Sequence, residues 1–185
     1  MLRLSALAAG LALLVLPATE APAAQNDGQN KAGIVTMSGA IDQTNRTPIT
    51  ETTPSVFARH GIIFDNGYEF THNALAGFPQ TTYVEDHPRL GGTYSGPLLS
   101  DLLKEVGAAG DQLVLTGLDG YTVDTTRANI DKHQPILAIE KDGEPLTLGE
   151  LGPTRLVYPT TGDAERDSQL RKQGAWALYH IGVTG

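Results

Sequence analysis

The 185-residue sequence contains no cysteine. That excludes disulfide staples, a lipid anchor on an N-terminal cysteine, a thiol nucleophile and any thiolate ligand to a metal. Stability must come from packing alone. Positive charge is scarce as well: 13 Lys and Arg stand against 21 Asp and Glu, for a net charge of −8. Such a chain repels phosphate backbones unless a basic patch gathers locally. None is visible, since Arg166, Arg171 and Lys172 are interleaved with Glu165 and Asp167. The expectation is no nucleic-acid partner. HExxH spacing, a G-x-S-x-G elbow, G-x-G-x-x-G and a Walker loop are all missing, which removes support for a zincin, an α/β-hydrolase and a nucleotide-binding domain.

Only one long apolar run is present, at the N-terminus. Arg3 precedes Leu4–Leu16, and Ala21-Pro22-Ala23 follows with small residues where a signal peptidase reads. The run is shorter than the ~18 or more residues needed to span a bilayer. Residues 1–23 are therefore expected to be a signal peptide, 24–33 a disordered tail and 34–185 one domain. Roughly 160 residues after cleavage suffice for a real core. The mature chain is expected in the periplasm or secreted, without membrane insertion. Arg3 lacks the tandem arginine of the twin-arginine route, so export unfolded is expected.

Short strands and turns dominate the rest. Ile34–Ser38 reads as a strand and Thr44–Ser55 as a long loop. Asn66-Gly67, Asp119-Gly120 and Asp142-Gly143 sit among β-branched or aromatic residues, as tight hairpins require. One amphipathic helix is clear: Pro97 suits its first turn, Leu98, Leu99, Leu102, Leu103 and Val106 share a face, and Gly107 stops it. Shorter helices are expected over Thr71–Gly77 and after Thr125-Thr126 through Ile130. Leu156–Tyr158 and Trp176–Val183 read as strands, with Trp176, Leu178 and Ile181 packing into the core. Thr160–Gly174 reads as a long polar loop. The fold class is α+β, mostly short antiparallel strands with few helices.

Chemistry-bearing residues concentrate around Glu85-Asp86-His87. Alternate residues at a strand end share a face, so Glu85 and His87 could act together as carboxylate and imidazole. The five histidines, His60, His72, His87, His133 and His180, show no metal-ligand spacing. Arg166 and Arg171 could reach over a pocket as anion donors.

In order along the chain, Tyr94-Ser95-Gly96-Pro97-Leu98-Leu99-Ser100-Asp101-Leu102-Leu103, Val106-Gly107-Ala108, Leu118-Asp119-Gly120-Tyr121, Thr122-Val123-Asp124, Leu137-Ala138, Asp142-Gly143, Gly152-Pro153, Val157-Tyr158-Pro159, Trp176-Ala177-Leu178 and Ile181-Gly182-Val183 resemble the sulfite-oxidase-like molybdopterin-binding domain. The resemblance runs from about Ile34 to Val183. It implies that family's fold, with a metal-bearing cysteine on the segment matched here by Gln80–His87. No thiol stands there. A shared scaffold does not supply function. The expectation is a non-catalytic binding or accessory protein, with no catalytic residue, no metal ligand and no cofactor. Its ligand-binding residues would be Tyr83, Glu85, Asp86, His87, Arg89 and Arg171. Its partner would be a small anionic ligand or a membrane-bound sensor protein. The alternative is a molybdopterin-dependent oxidoreductase with an altered metal shell.

Cleavage after Ala21-Pro22-Ala23 should leave a mature N-terminus near Ala24. Mass spectrometry of the exported protein checks this; an intact Met1 on a membrane-bound species would refute it.

Overall fold

Strand alternation decides how the main sheet is used. In the computed structural model, which describes residues 32–185, Gly33–Gly39 forms β1. Val35 and Met37 point into the main core, while Thr36 and Ser38 point to the opposite face, and all four are buried. A strand buried on both sides needs a cover on each.

Along the chain there follow α1 (Val56–Arg59), β2 (Gly67–Thr71), α2 (His72–Ala76), β3 (Gln80–Glu85) and β4 (Gly92–Pro97). Next come α3 (Leu99–Glu105), β5 (Gln112–Gly117), β6 (Thr122–Thr126), α4 (Arg127–His133), β7 (Ile136–Ala138), β8 (Glu140–Lys141) and β9 (Glu144–Pro145). A 3-10 turn over Leu148–Glu150 precedes β10 (Arg155–Val157), α5 (Ala164–Lys172) and β11 (Leu178–Thr184). The main sheet has the order β2-β1-β11-β5-β6, and a second has β3-β4-β8-β9, with β10 and β7 paired beside it. The pair β1–β11 is parallel and the others are antiparallel. This is the expected α+β architecture.

One face of the main sheet packs on α3, whose Leu99, Leu102, Leu103 and, just past its end, Val106 have no exposed surface. Gly107 follows at φ +61, the left-handed position that ends the helix. Pro97 is not in that helix. It closes β4 opposite Gln80, and Leu98 caps the helix while packing into a second cluster with Tyr94, Ile136, Leu146 and Val157. Gly96 is needed where β4 crosses β7: an added Cβ would lie 2.1 Å from the Leu137 carbonyl oxygen.

The other face is covered by the chain between β1 and β2. Ile49, Phe57, Phe64 and Tyr179 form a third cluster there. Arg46 stacks 4.7 Å over the Phe57 ring and pairs with Glu69. Beneath lies His180, whose Nε2 is 2.8 Å from Ser38 Oγ and whose ring is parallel to that of Phe64.

Two of the three turn dipeptides make the expected hairpins. Gly120 at φ +84 joins β5 to β6, and Asp142 and Gly143 at φ 54 and 85 join β8 to β9. Asn66-Gly67 does not, because Phe64 bridges to Ile49 and β2 pairs with β1 instead. The helices expected near Thr71 and Thr126 are α2 and α4, each capped by that threonine's hydroxyl. The stretch expected as a loop from Thr160 to Gly174 contains α5. Trp176 is not core: it is 45% exposed and precedes β11, whereas Leu178 and Ile181 are buried as expected. Among the described residues no helix is long and apolar enough to cross a membrane. The segments expected as signal peptide and most of the tail lie outside the described residues.

Two outcomes follow from this packing. Leu102→Ala should cost about 2–5 kcal/mol in urea unfolding, the range for a buried large-to-small change; a loss below ~0.5 kcal/mol would contradict the packing of α3. His180 is depressed to about 4, mainly by burial and secondarily by Arg46. Its neutral form is the folded form, so its contribution is complete above about 6.5 and is lost as pH falls through 4, roughly 3 kcal/mol in all. Urea midpoints at pH 7 and pH 4 should therefore fall further apart in wild type than in His180→Gln.

Candidate functional site

Strand β3 alternates as the sequence predicts, with Thr82 and Val84 outward and Tyr83 and Glu85 inward. Glu85, the last residue of β3, is buried to 6% exposure. It meets Arg155, the first residue of β10, at 2.7 Å between Oε2 and Nη2. Arg155 is 2% exposed, and its guanidinium lies 4.7 Å from the Tyr94 ring centre and 5.9 Å from that of Trp176. Burial raises the Tyr94 phenol above its ordinary range, with Arg155 pulling it back. The ion pair is incompletely satisfied: Arg155 Nε and Nη1 and both Glu85 oxygens lack an aligned hydrogen-bond partner. Beside it is a cavity of about 20 Å³ bounded by Tyr158, Thr160, Asp167 and Arg171, room for one water.

Arg171 and Gly174 border both this cavity and an outer cleft of about 280 Å³, lined further by Asp119, Tyr121, Lys172 and Trp176. The β5–β6 hairpin supplies Asp119 and Tyr121. Asp119 Oδ1 accepts from the Tyr121 backbone N–H at 3.0 Å and so shapes the turn. Tyr121 is 56% exposed, so two half-open aromatic residues line the cleft together with a pair of cations.

Helix α5 positions those cations. Asp163 caps it by accepting from the N–H groups of Glu165 and Arg166 at 3.0 and 3.1 Å. Asp167 accepts from the Thr161 hydroxyl at 2.6 Å and from the Thr161 N–H at 2.8 Å, tying the helix to the loop after β10. The Thr161 hydroxyl foremost, then its N–H, holds the Asp167 carboxyl below the ordinary range. Arg171 and Lys172 fall in the last turn, where the helix dipole favours positive charge.

Of the residues singled out in the sequence, Glu85 and Arg171 come together at the inner cavity. Tyr83 is turned elsewhere: its Oη donates to the Gln134 carbonyl at 2.8 Å, and burial raises its pKa. Asp86 and Arg89 are exposed and line neither space. His87 does not work with Glu85; its Nδ1 accepts from the Arg89 and Leu90 N–H groups, both at 3.2 Å, and holds the turn after β3. The sequence reading missed Arg155, Tyr121, Lys172 and the exposed Trp176. Arg155 had a visible signal, a charge directly at the head of the apolar run Leu156-Val157-Tyr158.

Comparison with known proteins bears on this geometry. The backbone is similar to the crystal structure of the sulfane dehydrogenase SoxCD from Paracoccus pantotrophus, with a TM-score of 0.52 and 20% identity over 81% of this chain. The similar part spans 37% of that longer chain. No curated protein sequence matches. A family model described as the oxidoreductase molybdopterin binding domain matches residues 64–164. The expectation of no cofactor is overturned by this match: the missing thiolate would contact only the metal, and its absence does not remove the organic part of the cofactor. The residues present fit the organic part. Arg171 and Lys172 suit a phosphate, and Tyr121 and Trp176 suit a flat pterin ring. They do not offer the metal a thiolate, since the chain has no cysteine. More than half the chain lies within that family model and the fold is shared with a known dehydrogenase, so the chain belongs to the oxidoreductase molybdopterin binding domain family and is a molybdopterin-binding, oxidoreductase-like domain.

Proposed function

We propose that this chain is an exported accessory protein that holds an anionic ligand of the pterin-phosphate kind without catalysing oxidoreduction. One observation carries the reading: Arg171 and Lys172 stand with the half-exposed rings of Tyr121 and Trp176 around a single cleft. Cations there orient a phosphate or carboxylate, and the rings take a planar group by stacking. Molybdopterin, when bound, supplies redox chemistry at its metal. This chain's own contribution is to bind and orient. Its inward carboxylate, Glu85, is engaged with Arg155, and His87 Nδ1 accepts from backbone N–H groups outside both the inner cavity and the cleft. Net charge of −8 keeps the chain soluble and makes the cleft a local exception to its field.

Trp176 is the sole tryptophan, so its fluorescence reports the cleft directly. A phosphorylated pterin should quench it saturably. Arg171→Ala and Lys172→Ala should each weaken binding at least fivefold, about 1 kcal/mol. Absence of quenching, or wild-type affinity in both variants, would remove the cleft as the site. Turnover of an electron acceptor by protein carrying molybdenum would make the chain an oxidoreductase with an altered metal shell instead.

A further inference from the structure

We infer that Arg155 is an inner carboxylate-binding seat, filled in the free protein by the chain's own Glu85. The inference rests on the reading of the adjoining cleft as an anion site and adds a second recognition point and a ligand class to it: a small molecule bearing a carboxylate.

Three observations carry it. First, Arg155 is 98% buried by the measure of its 2% exposure, yet Nε and Nη1 have no partner. A buried guanidinium normally spends its donors in planar, bidentate contact with an oxyanion. Here one nitrogen, Nη2, reaches one carboxylate oxygen at 2.7 Å, and neither Glu85 oxygen is aligned for a hydrogen bond. The seat is occupied but poorly fitted. Second, the guanidinium lies 4.7 Å from the Tyr94 ring centre and 5.9 Å from that of Trp176, and Trp176 also lines the outer cleft. The inner seat therefore borders the open cleft across one side chain. Third, Arg171 and Gly174 border both spaces, so a ligand held by Arg171 lies next to the seat. Glu85 ends its strand, and the cavity of about 20 Å³ beside it has no room for a carboxylate while Glu85 is in place. A ligand carboxylate must displace it, and an intramolecular competitor acts at high effective concentration. Glu85 thus sets the threshold for binding.

The test uses acetate, which is the fragment that Glu85→Ala removes. Thermal midpoints are measured against acetate, with chloride at equal ionic strength as the reference. Glu85→Ala should bind acetate at least tenfold more tightly than wild type, and the added change Arg155→Met should abolish the gain. Glu85→Gln keeps the seat filled and should respond as wild type does. If Glu85→Ala does not fold in chloride, recovery of folded protein on refolding in acetate is the expected result, and no recovery overturns the seat. Equal affinity in Glu85→Ala and wild type also overturns it, as does a gain that survives the loss of Arg155. Acetate failure with intact pterin-phosphate quenching removes the inner seat alone. Acetate success without quenching keeps the seat and removes the cleft reading.

Discussion

Pairing of β11 with β1 on one side and β5 on the other joins the two ends of the domain; Ser38 and His180, 142 positions apart, meet across it. Once that join forms, Ile181 and Val183 complete the main core while His180 faces the other way, under Phe57 and Phe64. The chain between β1 and β2 must then cover a polar face, and it does so with its own aromatic cluster. The backbone register shifts between Leu178 and His180, which lets neighbouring residues Tyr179 and His180 both serve that covered side. Just before this strand, Ala177 at φ 44 turns the chain so that Trp176 stays outside while Leu178 goes in. The aromatic wall of the cleft is thus a by-product of how the last strand enters the sheet.

Charge is distributed against the average of the chain. A net charge of −8 would ordinarily leave anions unwelcome. Around the cleft the acidic groups are engaged locally: Asp119 shapes a turn, Asp163 caps α5, Asp167 ties α5 to the preceding loop and Glu85 meets Arg155. Each carboxylate holds backbone or a cation in place, which leaves Arg171 and Lys172 without a close ion pair among the described residues. The buried Glu85–Arg155 pair is weak evidence for stability, because desolvating two charges offsets much of their attraction. Its incomplete hydrogen bonding fits a recognition element better than a structural one.

Much of the fold was legible. Period-two alternation in Ile34–Ser38, the apolar stripe of α3, the threonine caps of α2 and α4, and the positive φ of Gly120 and of Asp142-Gly143 are local rules, and local rules act before tertiary contacts form. Asn66-Gly67 failed as a hairpin because β1 offers β2 a longer pairing than Phe64 and its neighbours do. Helix α5 escaped notice because only Asp167 and Leu170 along it are buried, so it lacks the apolar stripe by which helices are read.

By itself the sequence determined the family pattern, the α+β class, the amphipathic helix and the want of a thiolate, since these depend on residue identity and near neighbours. Tertiary structure alone decided that Glu85 faces Arg155 rather than His87, and that Arg171 and Lys172 sit opposite Tyr121 and Trp176. Those partners lie on separate elements whose approach is fixed by long-range strand pairing and by the burial of both faces of one sheet. No local period in the sequence encodes that approach.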